Sequence, residues 1–194
     1  MTSSGDDALL IKAFQKGEKK AFDQLVIRHK DRIFNLCYRF LGDYDEANDS
    51  AQEAFVKAYE SLNAFRLESA FSTWLYRIAV NACKNKLGSS AYKARRKTVS
   101  LENPGHPSDE PLSMEIPNGA PSPLARMEEK EKLALVQRAL DTLPTEFKMV
   151  VTLRDVEGLS YEDIAETTGL NLGTVKSRIA RGRTDLRNRL RGVL

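Results

Sequence analysis

Residues Gly158–Arg183 read GLSYEDIAETTGLNLGTVKSRIARGR, with an acidic first half and a basic second half. Ser160, followed three positions later by Asp163, is a variant of the capping box that opens a helix. Glu162 and Asp163 also suit the positive end of that helix's dipole. Thr168–Gly169 closes it, because glycine readily takes the left-handed backbone of a C-cap. Asn171 then caps a second helix. Ala165 is small, as a close helix crossing requires, and Ile164, Val175 and Ile179 can pack inside the unit. The stretch is a helix-turn-helix, a motif whose second helix enters the DNA major groove.

The charge split follows from that reading. Thr174, Ser177 and Arg181 share one face of the second helix and can reach base edges. Arginine to guanine is the commonest specific contact, worth about 1–3 kcal/mol. Lys176, Arg178 and Arg183 suit phosphates, which give affinity without sequence preference. Arg154, ahead of the motif, can add a further contact. Glu157, Glu162, Asp163 and Glu166 would be repelled by phosphate and are expected as caps and solvent-facing groups. Gly182 costs its helix about 1 kcal/mol relative to alanine, and close packing is the one reason its position suggests.

Around this motif the chain extends to 194 residues with a net charge of +3. That length accommodates one or two domains with real cores. The basic charge is concentrated at two places. Residues 1–98 hold 17 Lys/Arg against 12 Asp/Glu, and residues 171–194 hold seven bases against Asp185 alone. Between them, residues 99–125 hold four acids and no base. Two basic patches suggest two contacts with a polyanion. No apolar run is long enough for a transmembrane helix, and MTSSGDDALL lacks the order of a signal peptide. Cys37 and Cys83 form no CxxC and suit small buried residues in a reducing cytoplasm.

Apolar spacing is helical nearly throughout, so the fold class is all-α. Helices are expected over about 6–16, 19–41, 44–62 and 71–87, then over 126–141, 144–156, 160–167 and 171–190. From about Gly88 to Leu124 the chain is rich in proline and polar residues and reads as a linker. The expected organisation is two small helical domains, 1–98 and 126–194, joined by a flexible acidic linker over 99–125. As a flexible coil the whole stretch from about Gly88 to Leu124 spans about 35 Å, against about 70 Å for two turns of duplex. A scaffold must therefore set the spacing of two DNA contacts. No GxxxxGK[ST] loop, GxSxG elbow or HExxH site is present, and His29 and His106 stand apart in sequence. No catalytic residue, metal or cofactor is expected.

The stretch DYDEANDSAQEAFVKAYESLNAFRLESAFSTWLYRIAVNACKN, Asp43 to Asn85, closely resembles region 2 of bacterial sigma factors of the extracytoplasmic-function group, within the sigma-70 family. LPTEFKMVVTLRDVEGLSYEDIAETTGLNLGTVKSRIARGR is similar to region 4 of the same group. SAFSTWLYRIAVNACKN and QKGEKKAFDQLV are most similar to the envelope-stress, sigma-E type. The resemblance implies that region 2 binds a coiled coil on the largest subunit of core RNA polymerase, through Asp49, Gln52, Glu53 and Lys57. It implies capture of the melted minus-ten strand by the loop Ala64–Trp74 and the helix after it. The residues concerned are Phe65, Arg66, Ser69, Phe71, Thr73, Trp74, Tyr76, Arg77, Asn81 and Lys84. The loop departs from the family pattern at Leu67-Glu68, where Gly-Asp is common. Region 4 is implied to read the minus-thirty-five duplex through Arg154, Thr174, Lys176, Ser177 and Arg181, and to contact the second-largest polymerase subunit.

Holding an extruded base needs a stacking surface, polar groups for its edge and cations for the backbone. The residues of the loop and helix supply all three. Phe71, Trp74, Leu75 and Ile78 equally form a helical core stripe, so Trp74 has two readings. Lys84 and Lys86, with Lys93, Arg95, Arg96 and Lys97, look like a phosphate-tracking extension. The expected partners are core polymerase, promoter DNA and an anti-sigma factor, commonly membrane-anchored in this family; the chain itself is expected in the cytoplasm. A free-standing helix-turn-helix regulator is the alternative. A recombinase would need a nucleophilic serine on an α/β domain, which the helical first half does not provide.

Overall fold

The computed structural model describes residues 4–90, 92 and 135–191. The expected linker over 99–125, the helix start over 126–134, His106, and the basic residues Lys93 to Lys97 lie outside the described residues. Among the described residues every regular element is helical.

Four helices form the first unit: α1 (Ser4–Gln15), α2 (Lys20–Leu41), α3 (Tyr44–Ser61) and α4 (Phe71–Gly88). The period-3.6 stripe of α2 buries Phe22, Leu25, Ile33, Leu36, Cys37 and Phe40. Gly42 stops α2 with a left-handed backbone (φ 72°), its N–H donating to the Tyr38 carbonyl. Asp43 starts α3 at once by accepting the Glu46 N–H at 2.9 Å. The buried side of α3 is Ala47, Ser50, Ala51, Ala54 and Ala58. These small side chains let α2 and α4 approach it closely. Cys37 and Cys83 are free and buried. Contact with Cys37, then burial, pushes the Cys83 thiol far up, so Cys83 is not a reactive thiolate at neutral pH.

The second unit follows with α5 (135–141), α6 (Thr145–Val151), α7 (Tyr161–Thr168) and α8 (Leu172–Leu190). A helix over 144–156 was expected; the structure widens its last turn, Thr152–Val156, into a π-helix. The Glu157 N–H reaches back to Thr152 O at 3.1 Å, and the Leu159 N–H to Leu153 O at 3.0 Å. The expected capping box is present: Asp163 N–H donates to Ser160 Oγ at 3.0 Å, and Ser160 N–H to Asp163 Oδ2 at 3.4 Å. Gly169 is left-handed (φ 71°), and Asn171 Oδ1 accepts the Thr174 N–H at 2.8 Å.

Gly182 now has a reason. A Cβ there would lie 2.6 Å from Val151 Cγ2 and 3.2 Å from Phe147 Cβ, so α8 crosses α6 where only glycine fits.

The two units touch. One apolar cluster runs from Ile11, Leu36 and Leu75 to Leu153, Ile164, Val175 and Ile179. Each unit also sends a lysine to a helix C-terminus of the other, the end where a cation is favoured. Lys148 Nζ donates to Phe40 O at the end of α2 (3.3 Å), and Lys84 Nζ to Thr168 O at the end of α7 (2.6 Å).

Candidate nucleic-acid interface

Three surfaces carry the residues singled out by the sequence. The first is the outer side of α8. At about 100° per residue, Thr174, Ser177, Arg178 and Arg181 share a side, and Lys176 and Arg183 lie on the other. Ser177 and Arg181 are exposed and Thr174 is half-buried. Arg181 has no partner among the described residues, so its guanidinium is free to meet a base edge. Arg178 is paired with Glu146 at 3.0 Å. Arg183 is clamped by Asp155, with Nε 3.0 Å from Oδ2. Arg154 donates to Leu159 O at 2.6 Å and lies 4.7 Å over the Tyr161 ring. Lys176 flanks that same ring at 5.9 Å. Tyr161 therefore aims two cations, and nothing in the sequence marked it out beyond its place in the first turn of α7.

The second surface is a cleft of about 610 Å³ between the loop after α3 and the start of α4. Phe65, Arg66, Ser69, Trp74 and Arg77 line it, together with the acids Glu68 and Glu166. Phe65 and Trp74 meet with ring centroids 4.8 Å apart and planes tilted by 36°, and Phe71 closes the cluster 5.7 Å from Trp74. Trp74 thus holds both of its possible positions: packed into the aromatic core and forming a wall of the cleft. Phe71, Thr73 and Tyr76 are buried, whereas Asn81 is exposed on α4. Leu67, where the family pattern often has glycine, takes a positive φ of 59°. That conformation costs a leucine about 1–2 kcal/mol, and the side chain offsets it by packing on the core.

The third surface is the exposed side of α3. Asp49, Gln52, Glu53 and Lys57 are all exposed and share it with Val56, which the sequence reading passed over. Glu53 and Lys57 pair one turn apart. Lys86 holds Glu46 at 2.5 Å and Asp49 at 3.7 Å, which raises its pKa through the hydrogen bond to Glu46.

Two expectations about side chains are corrected. Glu157 does not face solvent, whereas Glu166 is exposed as expected and is held in an ion pair. The π-turn carries Glu157 inward, where its side chain is only 4% exposed. It receives Arg32 Nε at 3.2 Å, Arg39 Nη1 at 3.5 Å and the Tyr76 hydroxyl at 2.7 Å. Burial, then the Glu157 carboxylate, pushes the Tyr76 hydroxyl far above its ordinary value. Glu166 pairs with Arg77 at 3.1 Å. Asp163 is a cap as expected, and Glu162 is exposed. His29, distant from His106 in sequence, is not alone in space: its Nε2 lies 2.8 Å from Asp7 Oδ2. Among the described residues no cluster of ligating side chains could hold a metal.

Residues 25–92 match the family model described as Sigma-70 region 2, and residues 133–186 the one described as Sigma-70, region 4. The chain is 39% identical to the ECF RNA polymerase sigma-E factor of Escherichia coli K12, over 100% of this chain and 99% of that one. This chain belongs to the sigma-70 family, in its extracytoplasmic-function group. A second relative of the sigma factor, RNA polymerase sigma-H factor of Pseudomonas aeruginosa, is 40% identical over 100% of this chain and 98% of its own.

Solved structures agree on the fold of this sigma factor. CnrH, in complex with the cytosolic domain of CnrY, superposes with a TM-score of 0.66 at 27% identity, covering 96% of this chain and 98% of that one. The sigma factor RpoE of Bartonella quintana, bound to the anti-sigma factor NepR, gives 0.62 at 22% identity, covering 89% and 98%. The region 2 match thus covers most of α2 with α3 and α4, and the region 4 match covers α5 to α7 and most of α8.

Proposed function

We propose that this sigma factor is a promoter-specificity subunit of the envelope-stress type. It binds core RNA polymerase and directs transcription to specific promoters in a stress response. The observation that carries the reading is that the family's two DNA-binding regions occur in order, each with an exposed face of the chemistry required. On α8, Thr174, Ser177 and Arg181 present hydroxyls and a free guanidinium suited to major-groove base edges at the minus-thirty-five element. Lys176, Arg178, Arg183 and Arg154 add charge for the phosphates around it.

The cleft at Phe65–Arg77 has the size, aromatic wall and polar rim to take an extruded base of the minus-ten strand. Arg66, Ser69, Arg77, Asn81 and Lys84 lie along the path of that strand. The exposed side of α3, with Asp49, Gln52, Glu53 and Lys57, is the docking face for the coiled coil of the largest polymerase subunit. Region 4 contacts the second-largest subunit. An anti-sigma factor, commonly membrane-anchored in this group, holds the free protein inactive in the cytoplasm. The sigma factor contributes recognition and no bond-making chemistry of its own. Sigma factors are not enzymes in the catalytic sense, and no described helix is long and apolar enough to cross a membrane.

Run-off transcription with and without purified core polymerase tests the reading. Core-dependent transcripts starting at discrete sites are expected. Tight operator binding by the isolated protein, with no transcript on adding core, would sink it in favour of a free-standing regulator.

A further inference from the structure

The loop that shapes the strand cleft is held from outside the cleft, by α1. Gln15, the last residue of α1, donates its side-chain amide to the turn that leads into the loop. Its Nε2 lies 3.1 Å from Leu62 O and 2.9 Å from Phe65 O. A primary amide carries two N–H donors, so one side chain satisfies both carbonyls. Leu62 O also accepts the Phe65 N–H at 3.2 Å, which closes the turn Leu62–Ala64. Phe65 is part of the aromatic wall, and Gln15 holds that residue's own backbone. Gln15 itself does not line the cleft.

The far end of the loop is also tied to α1. His29 Nε2 lies 2.8 Å from Asp7 Oδ2, and the His29 ring meets Phe71 edge-on with centroids 5.1 Å apart. Phe71 opens α4 and packs on Trp74 and Phe65. Five residues, Arg66 to Ala70, lie between the two holds. Leu67 among them keeps its positive φ of 59°. Backbone strain of that kind persists only where the surroundings over-determine it. α1 is in turn fixed on the bundle by buried Ile11 and Phe14, whose ring meets Phe22 at 5.8 Å and Tyr59 at 5.2 Å. Asp7 and Gln15 both precede residue 25, where the region 2 match begins, so the family match gives neither a role.

We infer that Gln15 is a positioning residue for strand capture: its amide sets the backbone of Phe65, and through it the aromatic wall, without touching the strand. The inference rests on the strand-capture reading of the cleft. Its physical basis is preorganisation. An extruded base gains full stacking only on a wall already in place, because ordering a loose loop at the moment of capture subtracts from binding. Loss of the hold therefore falls on promoter opening, when the strand enters the cleft. Duplex recognition by α8 and docking through α3 are untouched.

The test uses the full chain, free and with core polymerase, on a promoter chosen from the mapped run-off starts. Gln15→Met keeps the length, neutral charge and helix propensity of the side chain and removes its donors. Gln15 is exposed, so this change leaves the core intact. Ile33→Val, at a buried position of α2 that does not line the cleft, controls for a general loss of stability. Arg66→Ala removes a cation from the cleft and reports whether the cleft takes the strand. Trp74 is the single tryptophan of the chain, so quenching of its fluorescence by acrylamide reports the wall directly.

Gln15→Met should slow opening about tenfold, leave closed-complex affinity at the wild-type value and make Trp74 easier to quench in the free protein. Ile33→Val should match the wild type in all three. Wild-type opening by Gln15→Met beside slow opening by Arg66→Ala would overturn the positioning role and leave the cleft reading standing. Wild-type opening by both would mean that the cleft reading itself has failed. Equal slowing by Ile33→Val would reduce Gln15 to a contribution to stability. Slow opening with an unaltered Trp74 signal would also overturn the inference, since Gln15 would then act elsewhere than through the wall.

Discussion

Gly182 is a residue whose cost and use can be set side by side. Alanine there would gain about 1 kcal/mol of helix propensity. Its Cβ would enter the space of Val151 Cγ2, at 2.6 Å, and press on Phe147 at 3.2 Å. Overpacking of this kind costs about 1–3 kcal/mol, so Gly182→Ala should destabilise on balance, read as a lower denaturant midpoint with an unchanged slope. A rise in the midpoint would mean that α6 and α8 separate without cost. Arg181 acts in recognition instead. Arg181→Ala should weaken minus-thirty-five duplex binding by about 1–3 kcal/mol and relax preference at one base pair. Equal loss on all duplexes would reassign it to a phosphate. Asn81, exposed on α4, makes a kinetic prediction. Asn81→Ala should slow promoter opening more than it weakens the closed complex, and unchanged opening kinetics would remove it from the strand path.

Among the elements, α7 shows how local signals and tertiary context divide the work. It has only eight residues, too few to persist alone, so its start depends on the Ser160–Asp163 box. Ser160→Ala should cost about 1 kcal/mol, with the loss confined to region 4 in hydrogen exchange. The π-turn before it is the element that periodicity did not show. Its sequence, TLRDV, is compatible with an ordinary helix. Widening the turn brings Arg154 onto the Leu159 carbonyl, five residues on, and buries Glu157 against Arg32, which is 125 positions away and which no local preference could indicate.

For the whole molecule, the contact between regions 2 and 4 has a pH signature. Tyr76 is held far above the tyrosine value of about 10, first by burial and then by Glu157. A raised pKa in the folded state means the unfolded chain ionises first. The associated stability is complete below about pH 10 and is lost as pH rises beyond it. Wild type should therefore lose stability more steeply than Tyr76→Phe between pH 9 and 11, measured by denaturant titration at each pH. Parallel curves would show that Tyr76 does not sense Glu157.

The residues by themselves determined the helices, the cap and stop of each half of the helix-turn-helix, and which candidate residues share a helix face. Those features depend on neighbours three or four positions apart, and such spacing is legible in a string. Thr174, Ser177 and Arg181 fell on one face for that reason, as did Asp49, Gln52, Glu53 and Lys57. Only the tertiary structure decided which charged groups are free. Arg181 has no partner among the described residues, whereas Arg183 belongs to Asp155, Arg178 to Glu146 and Arg77 to Glu166. It also decided that Glu157, expected at the surface, is buried against Arg32, Arg39 and Tyr76, partners at least 81 positions away. A carboxylate's sign can be read from sequence; its partner depends on which surfaces the folded chain brings together.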